Sequence, residues 1–350
     1  METQPESSAS ETPASPRCLL VTGATGLVGG EVVRRARALG WPVRAFTRGE
    51  PPAELVELGV DCRKIDFSDV DGLRVACVGV SHVVHAAAKV GDWGPIEDYL
   101  TANQIGTRNL LDALPSDVER FVHISSLGVY PARDHHGTDE SSPRAEGGID
   151  GYTLSKIKAE DEVLERIAAG LQAVLLRPGF VYGPRDRTVI PRILERVRDG
   201  KFAYLGSGDQ LMNNISVVNL ADAVLLALTR PYGQIVAEGP QLNLTDPRLV
   251  TKREFIGSVA SGAGLAPPSR QVPLGVAKVV AAILERVWKL RGKTTAPILS
   301  QARIKFLGLN LDFSSDRAQR CLGYDPKLDF EDAIAETMTA MTAESETTTT

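Results

Sequence analysis

The chain has 350 residues, 43% of them hydrophobic and 24% charged, the proportions of a globular protein rather than a disordered or fibrous one. A formal net charge of -5 argues against a general nucleic-acid binder, which would carry a basic face. The four cysteines, at 18, 62, 77 and 321, include no C-x-x-C, so neither a zinc site nor a disulfide framework is signalled and a reducing, cytoplasmic setting is expected.

Residues 1–16 are acidic and rich in Ser, Thr and Pro, without an apolar core. They are expected to form a disordered tail, not a secretory signal, and 341–350 a second tail. Between them the chain alternates. Strands are expected at 18–22, 42–47, 62–67, 82–88, 121–126 and 172–177. Helices are expected at 27–39, 53–58, 70–77, 96–114 and 152–169, several ending at Gly or before Pro. Such alternation implies parallel pairing with right-handed crossovers, an α/β doubly wound sheet that binds ligands at the carboxyl ends of its strands. Residues 17–180 are assigned to this dinucleotide-binding unit. Residues 181–340, where Pro and Gly are frequent, are assigned mainly to a smaller substrate-binding lobe, with further strands at 216–218 and 241–244. His82 and His85 share one expected strand and point to opposite faces, so no metal is expected. No apolar run is long enough for a spanning helix.

Between the first strand and first helix stands TGATGLVG, Thr22 to Gly29. Gly23, Gly26 and Gly29 allow a tight turn, close approach to a pyrophosphate and packing of helix on sheet, and the helix N-terminus adds bare N–H groups. The second strand ends in Thr47 and Arg48. An arginine there suits a ribose 2′-phosphate, so NADP(H) is expected in preference to NAD(H), and Asp66 is expected to face the adenine.

The fifth strand ends in Ser125 and Ser126, and the helix after it opens with Tyr152 and Lys156 four residues apart. Both would return to the same rim of the sheet. Here the chain resembles the extended short-chain dehydrogenase/reductases. The likeness lies in TGATGLVG, in His85-Ala86-Ala87-Ala88, in Ser126-x-x-Val129-Tyr130 and in Tyr152-x-x-x-Lys156. It continues in Arg177-Pro178-Gly179, Val181-Tyr182-Gly183-Pro184, Ile215 to Ala223 and Leu322 to Pro326. The resemblance implies a Rossmann fold with Tyr152 as the proton-exchanging acid/base and its pKa lowered by a nearby ammonium and the positive nicotinamide. It also implies that Lys156 supplies that charge and holds the nicotinamide ribose, that Ser126 bonds the substrate oxygen, and that Asn103 supports the lysine through water. The implied cofactor-binding set is Gly23, Thr25, Gly26, Leu27, Gly29, Thr47, Arg48, Asp66, Phe67, Ala86, Ala87, Ala88, Tyr152, Lys156, Pro178 and Val181.

Within that superfamily the chain is similar to the 3β-hydroxysteroid dehydrogenase group. Its Ala86 to Gly94 run, AAAKVGDWG, resembles the 2-alkyl-3-oxoalkanoate reductases of bacterial olefin biosynthesis. The implied reaction is NADPH-dependent reduction of a long-chain 2-alkyl-3-oxo acid to the 3-hydroxy acid. A 3β-hydroxysteroid or sterol-4-carboxylate dehydrogenase and a noncatalytic NADPH-binding regulator stay open as alternatives. Residues 273–290 form an apolar helix followed by Arg291 and Lys293. It reads as core, as a lid over alkyl chains, or as an interfacial membrane helix, which leaves a peripheral membrane contact open, as is a homodimer. His135 and His136 fall in the 131–150 loop and are expected to be solvated.

Overall fold

The computed structural model describes residues 17–293 and 295–347. The tail expected at 1–16 and the last three residues of the one expected at 341–350 lie outside the described residues.

The first half runs β1 (Leu19–Thr22), α1 (Leu27–Ala38), β2 (Val43–Thr47), α2 (Ala53–Glu57), β3 (Asp61–Lys64), α3 (Val70–Ala76) and β4 (His82–His85). Then come α4 (Ile96–Tyr99), a π-helical segment (Leu100–Ile105), α5 (Gly106–Ala113), β5 (Arg120–Ile124), β6 (His135–Thr138), α6 (Gly151–Ala168) and β7 (Ala173–Pro178). The second half has β8 (Phe180–Tyr182), α7 (Ile190–Arg198), β9 (Tyr204–Leu205), β10 (Leu211–Met212), β11 (Asn214–Ser216), α8 (Val217–Thr229), α9 (Tyr232–Ile235) and β12 (Gln241–Leu244). It ends with β13 (Val250–Thr251), α10 (Lys252–Gly262), β14 (Gln271–Val272), α11 (Leu274–Leu290), α12 (Gln301–Gly308), β15 (Leu311–Phe313) and α13 (Phe330–Thr347).

Seven parallel strands form the main sheet in the order β12-β7-β5-β4-β1-β2-β3. The order reverses between β1 and β4, which opens a crevice at their carboxyl ends. Strands buried on both faces need continuous apolar runs, and all four residues of β1 are buried. One face of the sheet packs against α1 and α8, through Val32, Val33, Leu220 and Val224. The other packs against α3, α5 and α6, through Leu73, Leu110 and Val163. A separate core around Tyr182, Phe255 and Phe330 holds the C-terminal lobe.

Five differences from the sequence expectations matter. β4 stops at His85, so Ala86, Ala87 and Ala88 leave the sheet as loop. The 96–114 helix is one continuous run interrupted by a π segment that carries Asn103. Of 216–218, only Ser216 is strand; its Oγ accepts from Val218 N at 3.2 Å and starts α8, so Val217 and Val218 are helical. His135 is buried, bonded to Thr138 Oγ1 and Pro131 O and packed 4.3 Å from Phe313, whereas His136 is exposed. α13 continues to Thr347, into the segment expected to be a tail.

Candidate active site

The glycine loop folds back on its own neighbours. Gly23 has φ +71°, and a Cβ there would meet Ala87 N at 2.7 Å; a Cβ on Gly29 would meet Gly23 O at 2.3 Å. Only glycine fits either place. Gly26 caps α1 without a side-chain bond, so the first N–H groups of that helix stay bare at the crevice. A dinucleotide pyrophosphate fits this cradle.

Asp150 starts α6: its Oδ1 accepts from Thr153 N at 2.7 Å. That fixes Tyr152 and Lys156 on one face of the first two turns. Lys156 is buried, and its Nζ donates to Ile124 O at 2.7 Å, at the carboxyl end of β5. Burial pulls its pKa down to about 8 against the opposing pull of Glu160. Ser126 lies just beyond β5, and its Oγ accepts from Gly128 N at 3.0 Å to cap the turn Leu127–Val129. Ser126 is also hydrogen-bonded to the Tyr152 phenol. Burial pushes that phenol up to about 12; the Ser126 bond works against this and Asp150 adds to it. The lowering that the resemblance implies comes from the ammonium and the positive nicotinamide together. Among the protein's own groups, desolvation is the larger effect.

Asn103 grips the loop above the site. Its Oδ1 accepts from Lys89 N at 2.6 Å, and its Nδ2 donates to Lys89 O at 2.9 Å and Ser155 Oγ at 2.8 Å. It thus touches the residue before Lys156, not the lysine ammonium. Ser125 turns the other way and donates to Glu160 Oε1 at 2.6 Å.

A cavity of about 430 Å3 runs along the crevice. Of the expected cofactor and catalytic residues, Gly23, Thr25, Gly26, Leu27, Gly29, Ala86, Ala88, Ser126, Tyr152, Lys156, Pro178 and Val181 line it. Thr47, Arg48, Asp66, Phe67, Ala87 and Asn103 do not. Thr47 is buried and donates to Gly49 O at 2.9 Å. Asp66 accepts from Ser68 N and Ser68 Oγ, which holds its carboxyl below the usual range, with Arg48 adding a smaller pull. Phe67 packs edge-on against Phe46. Ala87 N donates to Thr22 Oγ1. Arg48 is exposed at the rim.

Several residues of the site went unread in the sequence. Arg34, Glu54 and Arg185 line the cavity, and Arg34 Nη1 donates to Glu54 Oε1 at 2.9 Å. Glu160, fully buried, receives Arg177 through both oxygens, at 2.8 and 2.7 Å. Arg177 also donates to Tyr130 Oη, which donates to Asn243 Oδ1 on β12. The spacing Tyr152, Lys156, Glu160 repeats every four residues down one helix face, and that was the available signal. His85 is bonded to Thr22 and Thr107, and burial with the Lys156 charge holds its pKa down to about 3.

The NAD dependent epimerase/dehydratase family model matches residues 19–238, and the chain belongs to that family. It is 31% identical over 324 residues to the 2-alkyl-3-oxoalkanoate reductase of Shewanella oneidensis, covering 90% of this chain and 84% of the relative. It is 30% identical over 321 residues to the enzyme of that name from Stenotrophomonas maltophilia, covering 90% and 97%. Relatives of 3β-hydroxysteroid dehydrogenase type also occur. The crystal structure of gox2253 superposes with a TM-score of 0.77 at 30% identity, covering 94% of this chain and 98% of that one. The chain is an NAD(P)-dependent oxidoreductase with a small-molecule substrate.

Proposed function

We propose that the protein reduces the ketone of a long-chain 2-alkyl-3-oxo acid to the secondary alcohol, with NADPH as coenzyme. The observation that carries this reading is the convergence of Ser126, Tyr152 and Lys156 on one wall of the crevice, in a chain whose reductase relatives match it across nine-tenths of its length. The bound nicotinamide would supply hydride to the ketone carbon. The chain's own residues do the rest. Ser126 Oγ accepts from Gly128 N and is bonded to the Tyr152 phenol, and a substrate oxygen placed between the two would take the Ser126 proton in place of that bond. A phenol with a pKa near 12 stays protonated at neutral pH, which suits Tyr152 to hand its proton to that oxygen. Lys156 spends one N–H on Ile124 O and keeps two for the ribose hydroxyls and for stabilising the phenolate left behind. Asn103, through Lys89 and Ser155, fixes the loop that borders this wall. Arg48 at the rim supplies the charge for a 2′-phosphate.

A lipid-like substrate also suits the surface. The exposed side of α11 carries Val276, Val279, Val280, Ile283 and Leu290. Lys278, Arg286 and Lys289 lie along one edge of that stripe and Arg291 follows on the other. Such a face fits the surface of an anionic membrane, reached from the cytoplasm. Vesicles containing phosphatidylserine should retain the protein, and Ile283→Asp with Val279→Asp should release it. Equal binding to neutral vesicles, or none, would leave α11 as a lid alone.

The function is tested by NADPH oxidation with a long-chain 2-alkyl-3-oxo acid beside a 3-ketosteroid, with NADH as the coenzyme control. Turnover of the keto acid with NADPH is the expected result. Turnover of the steroid alone would move the protein to the sterol branch. NADPH binding without turnover of either would make it a binder.

A further inference from the structure

A second cation is fixed to the catalytic turn, and the proton transfer described above has no use for it. Lys305 stands on α12 and reaches back to the 127–130 turn, where its Nζ donates to Gly128 O and Tyr130 O, both at 2.7 Å. Ser126 caps that same turn. The ammonium has three N–H donors, so one is left over.

Three neighbouring cations are already neutralised. Lys89 pairs with Asp98 at 2.6 Å, Arg177 with Glu160 at 2.7 Å, and Arg303 with Asp92. Among the described residues Lys305 has no carboxylate within ion-pair distance. Asp150 acts on it only from farther away and is engaged with Thr153 N. Burial pulls the Lys305 pKa down to about 8, as for an ammonium whose lost hydration is not fully replaced. A partly dry cation without a counter-ion, one turn from the group expected to bind the ketone oxygen, is arranged to receive an anion.

We propose that Lys305 anchors the carboxylate of the 3-oxo acid, holding it while the ketone oxygen lies between Ser126 and Tyr152. The inference rests on the proposed function and deepens it. In a 3-oxo acid a single carbon separates the carboxylate carbon from the ketone carbon. The anion therefore has to be met close to Ser126, and Lys305 is tied to the same short turn. Neutral ketones and esters would lack this contact, so Lys305 would select acids.

The test compares a 2-alkyl-3-oxo acid with its methyl ester, using the wild type, Lys305→Gln and Lys305→Arg. Gln keeps N–H donors for the two carbonyls without the charge, and NADPH binding checks that each variant is folded. The wild type should prefer the acid. K305Q should raise KM for the acid by about 30-fold, the scale of one charge-assisted hydrogen bond, with the ester changed less than about threefold. K305R should recover most of the preference. Equal losses for acid and ester would make Lys305 a structural tie and overturn the proposal while the proposed function stands. A wild type that reduces neither compound overturns the functional reading, and the anchor with it. Should K305Q fail to fold, the wild type still decides: the unreactive saturated acid must inhibit at least about tenfold more strongly than its amide, a gap of about 1.4 kcal/mol. Equal inhibition overturns the anchor.

Discussion

The two ends of the crevice are built differently. At the end proposed for the nicotinamide, Ser126, Tyr152 and Lys156 are partly or fully buried. They are tied to β5 and its following turn by short bonds, and behind them Glu160 and Arg177 form a pair almost without exposure. At the end proposed for the adenosine, Asp66 is bonded only within its own loop and Arg48 is exposed. A buried, mutually bonded group is held within a few tenths of an ångström because any departure leaves polar atoms unpaired. An exposed arginine costs little to move or replace. On the proposed reading, the chemistry is set by packing and the coenzyme preference by a rim that can change alone.

That contrast can be broken or sharpened by substitution. The largest effect is expected from Tyr152→Phe, which removes the proposed proton donor. Steady-state reduction should fall about 10³-fold, with NADPH affinity, read by fluorescence, within about twofold of the wild type. Lys156→Met should lose about 10²-fold in kcat/KM. In the wild type, Lys156 sheds its proton as pH rises through about 8, so the rate should be flat below that point and decline above it. The decline should disappear in K156M, and its persistence would assign it to another group. Glu160→Ala strands Arg177 in the interior. It should cost about 3–5 kcal/mol by urea unfolding, since the remaining charge is buried without its partner. A change under about 1 kcal/mol would show that the buried wall is looser than its bonds imply. The smallest effect is expected from Arg48→Ala: NADPH should weaken about tenfold and NADH hardly at all, as befits one exposed contact. Equal affinity of the wild type for both coenzymes would remove Arg48 from any part in the preference.

Much of this was legible in the sequence because it depends on local pattern. Gly23, Gly26 and Gly29 between a strand and a helix are a local arrangement, and so are Tyr152 and Lys156 on one helix turn after a capping Asp150. The expected strand at 216–218 failed for a local reason too, since the serine that ends β11 also caps α8. What stayed hidden depends on distant partners. Glu160 reads as one more helix acid until Arg177 arrives from β7. Lys305 reads as a surface lysine until α12 folds back on the 127–130 turn, and His135 as a loop residue until β15 pairs with β6 and brings Phe313 beside it. The burial that raises the Tyr152 pKa was hidden as well, because spacing shows the neighbouring ammonium but not the depth of burial.

The last strand of the sheet has a consequence for how the chain is made. β12 comes from beyond residue 240, yet it supplies the outer neighbour of β7, whose six residues are all buried. A nascent chain that has reached only residue 180 therefore exposes a long, apolar, unpaired strand edge, the kind that pairs with other chains. The coenzyme half is not a detachable module: cut at its apparent boundary, it should emerge as aggregate, and translation must pass Leu244 before the sheet can close.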